Sequence, residues 1–259
     1  MNNYILSLLI LLSVAGCGSS PTIKTDSMNC SQFNESIVNK WPGDGNTSDL
    51  VSNNNGLIMN GATFATGLSD KAFSFDGADD YVIIRQEDAK NPTSAITVTA
   101  WVKVKRTNTY QSIVSKFYGN YTKGINDDSY GLMIAPNGGL YWQVDTTVNG
   151  RLRDNILITN PVNIFDNQFH LIIGSYDGSS MKVYFDGQEV VNLSRDPKVV
   201  TGSIVNSIGT PILLGSASNR GSSDWFFSGL MDEINIHNMA LTQIKIVELF
   251  NSGSVGICK

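Results

Sequence analysis

Cysteine, histidine and runs of basic residues are all scarce in this chain. Of 259 residues only three are cysteine and two are histidine, too few for a metal centre built on imidazole and thiolate ligands. Prolines number 7 and charged residues make up 16%, against 24 glycines and 41% apolar residues. That balance excludes disordered, collagen-like and charge-tract classes. Eighteen Lys and Arg against 23 Asp and Glu give a net charge of −5, with no basic run. The electrostatic footprint that binding to a phosphate backbone requires is missing, which excludes nucleic acid as a partner. The acids are mostly aspartate, a residue that favours turns and metal loops over helices. The one long apolar run, residues 5–12, is too short to span a bilayer as a helix.

That run, ILSLLILL, ends in Ser13-Val14-Ala15-Gly16-Cys17. Small residues directly before a cysteine resemble the lipobox of bacterial lipoprotein signal peptides, which implies cleavage before Cys17 and lipid on its thiol. Residues 1–16 are then a signal peptide, although Met1-Asn2-Asn3-Tyr4 carries no Lys or Arg; an ordinary secretory signal with a coincidental cysteine is the alternative. Either reading exports the protein. Cys17 is followed by Gly18-Ser19-Ser20 with no Asp beside it, which in a Gram-negative host resembles the pattern sorted to the outer membrane. Export permits a disulfide between the remaining cysteines, Cys30 and Cys258, which would tie the two ends of the mature chain together; two unrelated thiols are the other reading. Residues 17–35 are polar, without apolar period, and read as a lipid-anchored tether.

From residue 36 to 259 the pattern is strands divided by turns. Ile96, Val98, Ala100, Val102 and Val104 alternate with Thr97, Thr99, Trp101 and Lys103, the period-two signature of a strand with one face in a core. Phe169, Leu171 and Ile173 repeat it. Two Asp-Gly turns, Asp177-Gly178 and Asp186-Gly187, bracket a strand whose apolar face is Met181, Val183 and Phe185. Further strands are expected at 72–75, 81–85, 112–116, 130–135, 140–144, 211–215 and 230–237. Helical spacing occurs once, in Ile244, Val247 and Leu249 behind Thr242 as N-cap. About a dozen short strands without a βαβ rhythm predict one all-β domain of two packed sheets.

Several stretches together resemble the laminin-G-like branch of the concanavalin A-like lectin and glucanase superfamily. They are Trp41-Pro42-Gly43-Asp44-Gly45-Asn46; Asn60-Gly61-Ala62-Thr63-Phe64 leading to Phe73-Ser74-Phe75-Asp76-Gly77-Ala78-Asp79-Asp80-Tyr81-Val82; Thr97 to Lys103; Phe169-His170 through Tyr184-Phe185-Asp186-Gly187; and Phe227 to Ile236 followed by Ala240-Leu241-Thr242. The resemblance implies an antiparallel jelly-roll sandwich with one concave and one convex face, closed by a short C-terminal helix. It also implies a structural calcium held by the residue at Asp232 together with the N-terminal loop at Asp44 and Asn46. Calcium takes six to eight oxygens, and the 44–49 loop is rich in them. Strand alternation places Asp232 in phase with Ile234 and Ile236, on the buried face, where a carboxylate needs a partner. A turn residue capped by backbone amides is the competing reading of Asp232.

The catalytic strand of the superfamily's glucanases carries two Glu around an Asp at alternating positions. Glu35, Glu87, Glu189, Glu233 and Glu248 form no such pattern, so catalysis is not expected. Asp79-Asp80 and Asp127-Asp128 read as solvated turns, and His170 and His237 as structural or exposed. Binding remains. Tyr118, Tyr121, Trp142 and Trp225 supply aromatic faces for pyranose rings, and Arg151 and Arg153, in what reads as a polar loop, supply hydroxyl contacts; Tyr110 adds to the aromatic supply. Trp101 faces away from the Val98, Ala100, Val102 row and either lines the open surface or is covered. The expected function is a non-catalytic lipoprotein that binds glycan, with an adhesive module for an extracellular protein, or a hydrolase or lyase with acids converging in a pocket, as alternatives.

Overall fold

The computed structural model describes residues 30–85, 91–117, 128–197, 200–219 and 222–253. The elements run α1 (Cys30–Ser36), β1 (Ile37–Trp41), β2 (Leu57–Met59), β3 (Thr63–Thr66), β4 (Lys71–Asp76), β5 (Tyr81–Ile84), β6 (Ile96–Val104), β7 (Gln111–Lys116), β8 (Tyr130–Ile134), β9 (Leu140–Val148) and β10 (Arg151–Thr159). They continue with β11 (His170–Tyr176), β12 (Met181–Phe185), β13 (Gln188–Glu189), β14 (Leu193–Arg195), β15 (Ser203–Ile204), β16 (Ile212–Leu214), β17 (Ala217–Asn219), β18 (Ser222–Asp224), β19 (Ser228–His237) and α2 (Gln243–Ser252).

Two antiparallel sheets form the sandwich. The first has eight strands in the order β13-β12-β11-β6-β19-β4-β3, with β1 also on β19; the second has nine, β14-β10-β9-β8-β7-β16-β5-β2, with β15 also on β9. The inward rows meet in one core that contains Ile96, Val98, Ala100, Val102 and Val104 of β6, as their alternation predicts, and Trp142 and Val144 of β9. Trp142 is the keystone of this packing. Its ring lies over Gly174 of the facing sheet, where an added Cβ would meet the indole at 2.5 Å, and its Nε1 donates to the Ser175 carbonyl at 3.1 Å. Trp142 is fully buried, so its expected place on a ligand-binding surface is corrected: the β9 row that points away from the core is the other one.

The outer face of the first sheet is covered. Trp101, Leu171, Ile173 and Tyr184 pack there against Phe33 of α1 and Leu241, Ile246 and Leu249 from the C-terminal segment. Trp101 stacks on Phe250 at 5.8 Å between centroids. The ambiguity over Trp101 is thus resolved in favour of cover. Thr242 caps α2 as expected, its side chain accepting from the Lys245 amide, and Gly253 closes the helix at φ 58. The apolar face differs from the one expected, because Ile246 and Leu249 are buried and Ile244 is 47% exposed. The tether read over 17–35 ends in an ordered helix, since Phe33 of α1 is part of this second cluster.

Residues 151–153, expected in a loop, lie in the nine-residue strand β10. Polar side chains hid it. Asp232 is buried as expected, but on the opposite face. It pairs with Trp101, and the register shifts between Asp232 and Asn235; Glu233 occupies this bulge at φ 47. Directly paired residues share a face, so the bulge turns Asp232 away from the core row of Ile234 and Ile236. The signal segment 1–16, Cys17, Tyr118, Tyr121 and the Cys30–Cys258 pairing lie outside the described residues. Among the described residues no helix is long and apolar enough to cross a membrane.

Candidate functional site

With the first sheet covered by helices, the candidate site lies on the outer face of the second, where Met133, Gln143 and Asp145 are buried and Tyr141 is half-buried. Cross-strand pairing sets its rows: Met133, Tyr141, Ile158 and Arg195 form one row across β8, β9, β10 and β14, and Gly131, Gln143 and Ile156 form the next. Asp145 and Asp154 face each other in the row after that. The alternation that sends Leu140, Trp142 and Val144 inward therefore sends Tyr141, Gln143 and Asp145 outward.

These three side chains are linked. The Tyr141 hydroxyl donates to Gln143 Oε1 at 2.8 Å, and Gln143 Nε2 donates to Asp145 Oδ1 at 3.0 Å. Asp145 is 1% exposed and its Oδ2 has no hydrogen-bond partner. Burial, added to by the charges of Asp154 and Asp128, pushes its pKa up to about 8, against the single lowering contact from Gln143. Burial likewise pushes the Tyr141 phenol up, while the Arg195 charge opposes that rise.

Aromatic rings gather at the Tyr141 end. Tyr110 meets Tyr141 edge-on with centroids 5.8 Å apart and meets Trp225 at 5.7 Å. Phe117, Met133 and Ala217 lie beneath them, with Tyr141 and Trp225 packed half-buried against that floor. Trp225 holds φ 53, a left-handed conformation that is costly for a bulky residue and that persists only where its surroundings impose it. The carbonyl of Trp225 accepts from the Ser112 amide at 2.8 Å, and its own amide donates to Asp224 Oδ1 at 2.8 Å, so the backbone here is held on both sides.

At the other end lies a cavity of about 540 Å³ lined by Arg153, Asp154, Asn155, Arg195, Asp196 and Thr201 among others. Its position follows from the strand pairing. β14 pairs with β10 only at Ile158 and Thr159, so the rest of that edge of β10 has no strand partner among the described residues. Side chains of both β10 faces can therefore border one cavity. Of the expected ligand contacts, Arg153 and Trp225 reach this face or its edge, Arg151 is exposed on β10 without lining the cavity, and Trp142 is in the core. Tyr141, Gln143, Asp145, Asp154 and Arg195 were not singled out from the sequence. The period-two pattern of β9 carried the signal for the first three.

The expected calcium loop has a mixed outcome at the level of geometry. Asp232 Oδ2 accepts from the Leu68 amide at 2.7 Å and the Ser69 amide at 3.4 Å, and Asp44 Oδ1 accepts from the Lys71 amide at 3.4 Å. Both carboxylates thus hold the same β3–β4 turn. Asp232 Oδ1 is buried with no partner, and burial pushes this carboxyl up to about 6 despite the two amides. An orphaned buried carboxylate oxygen at a turn that a second carboxylate also holds fits a hard cation, for which Asp232 and Asp44 would be the ligands. Asn46 is turned inward on its own loop, donating to the Asp44 carbonyl and accepting from the Ser48 amide. Asp49 is spent on the loop itself: burial raises its pKa, but hydrogen bonds from Ser52, Lys40 and Asn39 outweigh that and hold it low.

The acid pairs read as solvated turns are half corrected. Asp79 is exposed, but Asp80 and Asp128 are both buried, and carboxylate oxygens of Asp76, Asp79 and Asp80 lie within 4.8 Å of one another. Asp80 Oδ2 accepts from the Asp76 amide at 3.0 Å, so a hairpin turn, not alternation, sets their approach. Both histidines are structural: His237 is fully buried and shares a hydrogen bond with the Ser36 hydroxyl, while His170 sits between two carboxylates.

Comparison with known proteins places this architecture. The binding domain of Paraclostridial Mosquitocidal Protein 1 superposes with a TM-score of 0.64 at 19% identity, over 85% of this chain and 53% of that one. Domain 4 of AbnA, an extracellular arabinanase from Geobacillus stearothermophilus solved in complex with arabinotriose, gives 0.57 at 20% identity over 82% and 97%. The botulinum neurotoxin serotype D binding domain gives 0.58 at 14% over 85% and 52%. The chain spans about half the length of the two toxin domains. No curated protein matches the chain in sequence. A laminin-G family model matches residues 76–247, more than half of the chain, and the protein belongs to the concanavalin A-like lectin/glucanases superfamily.

Proposed function

We propose that the protein is an exported, non-catalytic carbohydrate-binding domain whose ligand lies across the outer face of the nine-stranded sheet. The observation that carries this is the array of half-buried aromatic rings, Tyr110, Tyr141 and Trp225, on a sheet face that no helix among the described residues covers, with Arg195 of the polar edge cavity in the same cross-strand row as Tyr141. Aromatic faces with fixed polar groups beside them suit a sugar, which has an apolar ring face and a rim of hydroxyls. The arabinotriose held by the arabinanase domain of the same fold supports a saccharide as the ligand class. A structural calcium at Asp232 and Asp44 belongs to this reading.

Replacing Tyr141 or Trp225 with Ala should weaken saccharide binding by about tenfold, roughly 1.4 kcal/mol, with the thermal midpoint little changed for Trp225→Ala. Binding that survives both substitutions would refute the site. The lipid anchor is part of the proposal and separately testable: radiolabelled palmitate should enter the wild-type protein in a bacterial host and not Cys17→Ser. Equal labelling of both would refute it.

A further inference from the structure

We propose that the flank of the sandwich formed by β2 and β3 is the interface of a two-fold symmetric dimer, with β2 of one copy pairing antiparallel to β2 of a second. Both sheets end on this flank: β3 is the last strand of the first and β2 the last strand of the second, and neither has an outer partner among the described residues. Residues 50–69, which build the flank, contain no Asp, Glu, Lys, Arg or His, in a chain that is 16% charged. They are nonetheless surface residues. Of the nine large apolar side chains exposed among the described residues, five lie here: Leu50, Val51, Leu57, Ile58 and Leu68. Leu57 and Ile58 are on β2 itself, and Leu68 is on the turn between β3 and β4. β1 lies on β19 on the same side as β4, since β6 occupies the other, and the loop carrying Leu50 and Val51 is held to the outer edge of β1. There the Leu50 amide donates to the Lys40 carbonyl at 2.9 Å, and the Lys40 amide donates to Asp49 Oδ1 at 2.9 Å.

The opposite edges are protected. β13 carries Glu189, paired with Lys182 at 2.9 Å, and α2 bonds the turn before it, Gln243 Nε2 donating to the Gly187 carbonyl at 2.7 Å; β14 carries Arg195. Charge and cover are what keep an edge from pairing, and among the described residues β2 and β3 have neither. An open edge presents backbone N–H and C=O groups that a lipid surface leaves unsatisfied and another strand satisfies, so the occupant is a strand. Charge selects whose. At −5 per chain two copies repel each other, and they approach with least cost where neither carries a charge, while a charged partner has nothing to read on this flank. Antiparallel pairing of two identical strands is itself two-fold symmetric, so one patch serves both copies. The axis runs normal to the sheets, which leaves the outer faces of the two nine-stranded sheets pointing the same way. On the saccharide reading above, two ligand sites then share one side of the dimer and one polymer can be held at two points.

The test is sedimentation equilibrium of the full-length protein in density-matched detergent over about 1–100 μM, the range in which a small interface dissociates. The mass should rise from one copy to two and stop there. Leu57→Lys, which puts a charge into the β2 pair from each copy, should move the midpoint of association about tenfold upward in concentration. Val191→Lys, at an exposed apolar residue outside the flank, should leave it where it is. Thermal midpoints check that both variants fold. Hydrogen exchange of the wild type needs no variant: amides of residues 57–59 should exchange about threefold more slowly at the top of that range than at the bottom, and those of residues 188–189 equally at both. A mass of one copy throughout, with exchange independent of concentration, would overturn the second copy as occupant. Growth past two copies, or association as strong in Leu57→Lys as in wild type, would overturn the two-fold pairing through β2. Neither measurement uses a saccharide, so a failure here leaves the saccharide reading standing, and a failure of saccharide binding leaves the dimer.

Discussion

His170 shows how much of this protein's behaviour is set by single side chains. Its Nδ1 lies 2.8 Å from Asp186 Oδ2 and its Nε2 lies 2.9 Å from Asp166 Oδ1, so it joins the start of β11 to the β12–β13 turn. The Asp186 contact raises its pKa, burial opposes, and the Asp166 contact raises it further. A histidine with a raised folded pKa contributes stability that is full below its unfolded value of about 6.5 and is lost as pH rises through the folded one. Wild type should therefore exceed His170→Asn by about 1–3 kcal/mol at pH 5.5, and by clearly less at pH 9, in denaturant melts at the two pH values. A constant difference would show that the imidazolium contributes nothing. The same scale explains the exchange of Trp142 for Tyr141 as a ligand contact. The sequence reading chose Trp142 and passed over its neighbour Tyr141, but in a strand adjacent side chains point to opposite faces, and the small Gly174 opposite Trp142 leaves room for an indole in the core.

At the scale of elements, the strands with strict alternation, β6, β11 and β12, were legible because each has one face in the core and obeys a period of two. β10 was not, because Arg151, Leu152, Arg153 and Asp154 are all exposed and so leave no apolar signal. α1 was missed because a seven-residue helix with one anchoring aromatic, Phe33, is too short to show a period. The β19 bulge was invisible for another reason: a left-handed Glu233 carries no sequence marker, yet it moves Asp232 from one face to the other. There Asp232 secures the β3–β4 turn on which Asp44 also bears. If a cation bridges them, chelator should lower the melting temperature of wild type by several degrees, about 1–2 kcal/mol for a domain of this size, and leave Asp232→Asn unmoved. A chelator effect of equal size in both proteins, or in neither, would remove calcium from this site.

Across the whole molecule, the two sheets differ in what covers them. The helices seal the outer face of one over Trp101, Leu171 and Tyr184, leaving the outer face of the other with its aromatic end and its charged edge. The jelly roll was legible because motif order along the chain constrains topology more tightly than any single motif. The site was only partly legible, since a sheet face draws its residues from strands far apart in sequence: Tyr110, Tyr141, Arg195 and Trp225 come together only through pairing. Fold alone does not select among the many functions such sandwiches carry, and the central claim is the binding one. The measurement that tests it most directly is a glycan-array screen of the full-length protein in detergent, with and without chelator, with sugar release followed in parallel. The account predicts a specific saccharide signal without release, lost in Trp225→Ala. No saccharide bound in either condition, or steady release of sugar from a bound ligand, would contradict it.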